Sequence, residues 1–242
     1  MTSPSGRTCQ TDAVFSRRLP ALLLGGALLL GGCTGDDDGG SAPADERLDA
    51  AAEVLADAES FDISLTTPEL PSGTKGLLSA TGIGDHSPAF QGDVKVVAGG
   101  ASIGAEVIAV DGRVWAKTGF SPLWAPLDPA SLGAPDPADL VGQDSDSGVG
   151  SLLGVTEDVE AGDRSRDGDE VLTKITGTIA GDRIKALIPT ADEAATFAVT
   201  YRLTDDDELH DAQIKGPFYG DEDVTYTLTL DPRDEAAAIE AP

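Results

Sequence analysis

Between Lys75 and Thr118 the chain repeats one pattern four times. Lys75–Ile83, Ala89–Val97, Ser102–Val110 and Arg113–Thr118 are β-type runs, separated by His86-Ser87-Pro88, Gly99-Gly100 and Asp111-Gly112. Connections this short and this rich in Gly, Pro and Asp are hairpin turns, which join antiparallel neighbours. Asp111-Gly112 suits a tight primed turn, in which both central residues need positive φ. A four-strand meander is therefore expected, and it commits the chain to an antiparallel sheet.

The flanking segments extend that sheet. Upstream, Leu48, Ala51, Ala52, Val54, Leu55 and Ala58 recur at helical spacing from Asp45. Phe61–Thr67 then alternates apolar with polar and stops at Pro68, as a strand does. Downstream, Phe120–Gly154 is rich in Pro, Asp, Ser and Gly, with short apolar groups at Ala138–Val141 and Val149–Leu153. Short helices and loops, a candidate lid, are expected there. Strands return at Val155–Ala161 and Glu170–Ile179, followed by a helix over Asp182–Ile188 that Pro189 stops. Thr196–Leu203, Glu208–Lys215 and Val224–Leu230 complete the set, joined by acidic turns. The expected fold class is α+β: one large, strongly curved antiparallel sheet with helices gathered on one side. No internal repeat of solenoid period is present.

The N-terminus says where such a domain would work. Arg17-Arg18 precede an apolar stretch, Leu19–Leu30, that is too short to span a bilayer core of ~30 Å, and Leu30-Gly31-Gly32-Cys33 follows. Residues 1–32 read as a cleaved secretion signal, and the tetrad looks like a bacterial lipobox with Cys33 as the lipidation site. Ser16-Arg17-Arg18 hints at twin-arginine export, but Leu19-Pro20-Ala21 lacks the expected apolar pair, which favours the general secretory route. Residues 33–44, with three consecutive aspartates among Gly, Ser, Ala and Pro, cannot bury anything and read as a lipidated tether. Residues 45–242 then form a single domain, placed on the outer face of the cytoplasmic membrane by the lipid.

Charge narrows the partners. The full sequence carries −27 at pH 7, and loss of the signal, with three arginines against one aspartate, makes the mature chain two units more negative. Nucleic acid is excluded as a partner, and no polybasic patch exists to hold an anionic membrane, so attachment must come from the lipid. Cys9 lies in the discarded signal, leaving one cysteine and no disulfide.

Motifs for chemistry are weak. Gly100-Ala101-Ser102-Ile103-Gly104 matches the nucleophile-elbow pattern, but an elbow needs a helix after the serine, and a strand-type run follows instead. His86, in a Ser-Pro turn, and His210, among aspartates, read as solvated loop residues. Asp144, Asp146 and Gly148 resemble the start of a calcium loop but lack the later acidic ligands. No metal, no cofactor and no catalytic residue are expected.

Where the apolar residues sit is more informative. In Val94–Val97 and Ile103–Val110 both faces are partly apolar; such a sheet is covered on both sides or lines a hollow. The ordered set Asp111–Lys117, the Trp124 segment, Asp136–Val141 and Gly148–Leu153, with the lipobox, the Gly92–Val96 strand and the final strands, resembles the mycobacterial LppX/LprA/LprF/LprG lipoprotein family from Cys33 to about Leu230.

That resemblance implies a curved antiparallel β half-barrel with helices over its concave face, enclosing an apolar cavity for acyl chains. It implies a carrier of acylated lipids or lipoglycans between inner membrane and outer envelope, with a membrane transporter as a candidate partner and no enzymatic activity. The expected cavity lining is Val94, Val96, Ile103, Val107, Val114, Leu152, Leu153, Ile184, Leu187 and Ile188. One acyl chain of about fifteen methylenes costs ~12 kcal/mol in water at ~0.8 per CH₂, and a dry cavity removes that barrier. Two competing readings remain: an envelope lipoprotein with a filled core that binds protein or cell-wall partners, and a lipid hydrolase using Ser102.

Overall fold

The computed structural model describes residues 42–142 and 148–242. The expected signal, Cys33, most of the expected tether and the Asp144/Asp146 pair lie outside them. Ser41–Pro242 forms one compact unit.

Helix α1 (Ala44–Asp57) opens the unit, with Asp45 and Glu46 in its first turn, where carboxylates favour the helix dipole. It buries Leu48, Ala51 and Leu55, one stripe at helical spacing, together with Arg47. The Arg47 guanidinium pairs with Asp207 and donates to the Thr204 carbonyl at 2.6 Å, so the helix is pinned to an acidic turn far away in sequence.

Strands β1 (Ser60–Thr66), β2 (Gly76–Asp85), β3 (Ala89–Ala98), β4 (Ala101–Val110), β5 (Arg113–Thr118) and β6 (Ala125–Leu127) follow. The turn at Asp111-Gly112 has φ of 53° and 65°, the primed geometry expected of it. A connection then carries the 3-10 turn Pro129–Leu132, the short helix α2 (Pro137–Val141) and the 3-10 turn Val149–Leu152. The remaining elements are β7 (Glu157–Asp167), β8 (Glu170–Ala180), α3 (Gly181–Leu187), β9 (Thr196–Leu203), β10 (Leu209–Tyr219) and β11 (Glu222–Arg233).

Among the described residues these strands make one antiparallel sheet in the order β6-β5-β4-β3-β2-β1-β11-β10-β9-β8-β7. The chain starts at the middle, meanders out to one edge, crosses to the far edge and meanders back until β11 pairs with β1. Because the connection from β6 to β7 joins opposite edges, it must pass over the sheet. Topology alone makes that segment a cover.

Register assigns the two faces. Ala105, Val94, Ala80, Leu65, Leu228, Ala212, Tyr201, Ile175 and Ala161 stand side by side on β4, β3, β2, β1, β11, β10, β9, β8 and β7. On the opposite face, Lys117, Glu106, Asp93, Thr81, Ser64 and Thr229 form a polar row. The apolar face carries the core together with α1, α2 and α3. The architecture is the expected curved antiparallel half-barrel with helices over its concave face, α+β in class.

Two glycines let β2 and β3 approach unusually closely. Gly82 and Gly92 face each other across β2 and β3, with their Cα atoms so close that a methyl on Gly92 would lie 2.1 Å from the Thr81 carbonyl oxygen. Strands approach this closely only where side chains are absent.

Several sequence boundaries shift. β6 falls in a region expected to be loop; it is three residues long and contains Pro126, as suits a sheet edge. β7 runs on to Asp167, beyond the expected Ala161, through Asp163, Arg164 and Arg166. Those residues are exposed, so no apolar alternation marks the strand, and alternating charge on the other edge discourages pairing with another chain. The helix expected over Asp182–Ile188 starts one residue earlier and ends one earlier, because Ile188 is already extended before Pro189.

Candidate functional site

The cover and the sheet meet at α2. Asp136 caps this helix by accepting from the Ala138 N–H at 3.0 Å, and Pro137 holds the first turn. Its buried residues are Pro137, Ala138, Leu140 and Val141. Val141 lies over Gly84, where an added methyl would come within 2.6 Å of its Cγ1, so the absence of a side chain on β2 lets the helix seat.

The second part of the cover is tied down by hydroxyls. Tyr201 on β9 donates to the Leu152 carbonyl at 3.3 Å, and Thr156 donates to the same carbonyl at 2.7 Å while sitting 2.8 Å from the Tyr201 hydroxyl. These bonds terminate the 3-10 turn Val149–Leu152 against the sheet.

Among the described residues three voids lie under the cover, and Leu140 lines all of them. The first, beneath β2–β5, is bounded by Val94, Val96, Val107, Val114, Leu77 and Leu127, with prolines 129, 135 and 137 closing it. The second, against α3, is bounded by Leu152, Ile184, Leu187, Ile188, Phe218 and Tyr226. The third, beside α1, is bounded by Leu55, Phe61, His86, Val141, Val149 and Ser151. Their volumes are about 30, 20 and 20 Å³, each room for about one water. A pocket that encloses a drug-sized ligand is ~300–1,000 Å³, and none of these three voids is of that size.

Eight of the ten expected lining residues border these voids: Val94, Val96, Val107 and Val114 around the first, Leu152, Ile184, Leu187 and Ile188 around the second. Ile103 and Leu153 border none. Leu153 is packed in the core, and Ile103, half-buried near the open end of β4, rests against the core's margin. Sequence reasoning missed Leu140, although it sits in one of the two short apolar groups of an otherwise polar connection. It also missed the Leu65, Phe218, Tyr226 and Leu228 wall, which alternation in β1, β10 and β11 announces.

Tyrosines seal the end near β2. Tyr219 and Tyr226 hydroxyls are 2.9 Å apart; Tyr219 accepts from the Leu77 N–H at 3.1 Å and Tyr226 donates to the Leu77 carbonyl. They take over backbone groups left beyond the end of β1, at the point where β2 shifts register. Burial, reinforced by the neighbouring Tyr219, pushes the Tyr226 phenol above its ordinary range. Burial also raises Tyr201, against a smaller lowering by its bond to Thr156.

A raised phenol binds its proton more tightly in the folded state. Its stabilising contribution is full below the unfolded value of about 10 and is lost as pH climbs through the folded value. In an alkaline titration followed by phenolate absorbance, Tyr201 and Tyr226 should remain silent at about pH 11 and ionise together when the protein unfolds. Ionisation of Tyr201 or Tyr226 at about pH 11 in a still-folded protein would contradict this.

Both histidines differ from expectation. His86 is half-buried, edge-on to Phe61 at 5.0 Å, with Nε2 3.2 Å from the Leu55 carbonyl and Nδ1 buried without a partner. His210 lies on β10, its Nδ1 2.8 Å from Asp211, which in turn accepts from Arg202 at 2.9 and 3.0 Å. Bonding to Asp211 keeps the Arg202 guanidinium above its usual value. Each ring was expected in solvent because neighbouring residues are polar or turn-forming; His86 instead meets α1 and Phe61, far upstream in sequence, and His210 is held by the adjacent Asp211, which Arg202 of β9 fixes in turn. Ser102 sits within β4, paired opposite Val97, so the strand-to-helix turn of a nucleophile elbow is not formed there. Among the described residues no cluster of potential metal ligands occurs.

Comparison with known families matches residues 43–236 to the LppX_LprAFG lipoprotein model. Among solved structures, LprF from Mycobacterium bovis aligns with a TM-score of 0.67 at 19% identity, covering 84% of this chain and 99% of that one. LppX from Mycobacterium tuberculosis aligns with a TM-score of 0.57 at 18% identity, covering 81% and 98%. At such identities these two alignments speak to the fold. No curated protein sequence matches.

Proposed function

Because this chain belongs to the LppX_LprAFG lipoprotein family, we propose that it holds acyl chains of a lipid or lipoglycan between its curved sheet and the covering connection, and carries them between inner membrane and outer envelope. The supporting observation is the set of three apolar voids that meet at Leu140 under a cover made of one short helix and two 3-10 turns. Displacing that cover would merge the voids into a single trough walled by both halves of the sheet. An acyl chain entering it leaves one apolar medium for another, so loading and release are close to neutral in hydrophobic terms, whereas an aqueous crossing is not.

In the same reading residues 1–32 are a signal peptide, Cys33 is acylated, residues 33–44 are a tether and residues 45–242 are the binding domain. The lipid would hold the protein to the outer face of the cytoplasmic membrane, and a transporter there would be its natural donor. No covalent step is needed, so no enzymatic role is assigned, and neither a cofactor nor a metal.

The competing filled-core reading draws on the small volume of the voids. Native mass spectrometry with organic extraction separates the two. The carrier should co-purify with acylated lipid, and Val96→Trp, whose indole overfills the β2–β5 void and presses toward the cover, should lower bound lipid severalfold, with circular dichroism checking that the sheet survives. Protein that is free of lipid and refuses added phospholipids and glycolipids would favour a filled core and protein partners.

A further inference from the structure

We propose that the turn between β5 and β6, Gly119–Trp124, is a bilayer-docking tip. Phe120 is 95% exposed and Leu123 73%, the two large apolar side chains that the described fold leaves in water. Both stand on one tight turn at the sheet's edge, where they could reach a surface unobstructed by neighbouring strands.

The turn is built to hold them out. The Ser121 N–H donates to the Thr118 carbonyl at 3.1 Å, closing a turn with Phe120 at its tip. The Ser121 hydroxyl then accepts from the Leu123 N–H at 3.4 Å, and Pro122 fixes the backbone between them. Presenting two apolar groups on a pre-formed loop avoids the ordering cost a flexible segment would carry.

Composition identifies the occupant. From Gly112 to Leu127 there is no acidic residue, in a chain with 43 acids among 242 residues; the same stretch holds Arg113 and Lys117 and both of the protein's tryptophans. Trp115 and Trp124 are half-buried at the base of the tip, and the Lys117 ammonium lies 5.1 Å from the Trp124 ring centroid. Apolar side chains at the tip, with the Trp124 indole and the Lys117 ammonium behind them, follow the layering of a membrane interface, although Lys117 also pairs with Glu106 of β4 at 2.6 Å. Glu106 balances Lys117 locally and charge beyond ~8–10 Å is screened at physiological ionic strength, so burial of the two apolar side chains, not charge attraction, is what would hold the tip. A protein partner is the weaker candidate, because a six-residue turn supplies far less than the ~800 Å² per side of a stable interface.

This inference is independent of the cargo reading and can be tested separately. Residues 34–242, His-tagged at the N-terminus and so free of the apolar leader and of Cys33, are held at fixed density on phosphatidylcholine/phosphatidylglycerol vesicles by a chelating lipid, with bromine on the acyl chains of the other lipids. Trp124 closes the tip and Trp115 lies behind it within β5, so their quenching reports how deeply the tip inserts. Wild type should be quenched. The double variant F120D/L123D, with unchanged circular dichroism, should not be, and untethered it should partition onto vesicles on the order of a hundredfold less well than wild type, as expected for two large apolar side chains. Unquenched tryptophans in the wild type, or equal quenching in the variant, would overturn the proposal. Cavity-bound lipid measured on the same F120D/L123D sample by native mass spectrometry should be unaffected, which separates failure of the tip from failure of the cargo reading.

Discussion

Gly92→Ala is expected to lower the unfolding free energy by roughly 4 kcal/mol, more than a single methyl normally costs, because the atoms in its way are backbone. The new carbon would lie 2.1 Å from the Thr81 oxygen and 2.7 Å from the Gly82 Cα. Neither can turn aside as a side-chain terminus would, so β2 and β3 must separate and give up curvature. Gly104→Ala, on the adjoining strand, supplies the control: nothing lies within 4 Å of its added carbon, and its effect should stay within about 0.5 kcal/mol. Urea unfolding of the pair measures the difference. Equal midpoints would show that the close approach of β2 and β3 does not set the shape of the sheet.

Leu140→Ala should destabilise and enlarge at once. Leu140 is 1% exposed and borders all three voids; truncating it removes the partition between them at a cost of about 2–5 kcal/mol, the range for a buried leucine whose site relaxes only in part. If the voids belong to one trough, the connected space should accept about two further methylenes of an acyl chain, worth roughly tenfold in affinity at ~0.8 kcal/mol each. Fatty-acid titration beside thermal unfolding reads both effects. Lower stability without tighter binding would mean that the voids are separate packing defects. Leu140→Met, which conserves volume, should change each by little.

The legibility of the sheet and the obscurity of its closure have different physical origins. Strands such as Ala89–Ala98 and Thr196–Leu203 were readable because one face meets the core and the other meets water, imprinting a period of two on the sequence. β7 lacked that imprint since its charged residues face solvent on both sides. Val94, Val96, Val107 and Val114 could be named as lining because their positions in a hairpin meander share a face. Leu140 could not, since its place depends on where a loop-like connection lands.

Sequence by itself determined the antiparallel meanders and the helix before β1, both of them consequences of neighbours within a few residues. Tertiary structure decided that β11 closes on β1, that the edge-to-edge connection covers the apolar face, and that Arg47 finds Asp207 across 160 positions. Those outcomes depend on distant segments burying a common surface, and a periodicity of two or 3.6 records only that a residue faces inward, never what it will meet there.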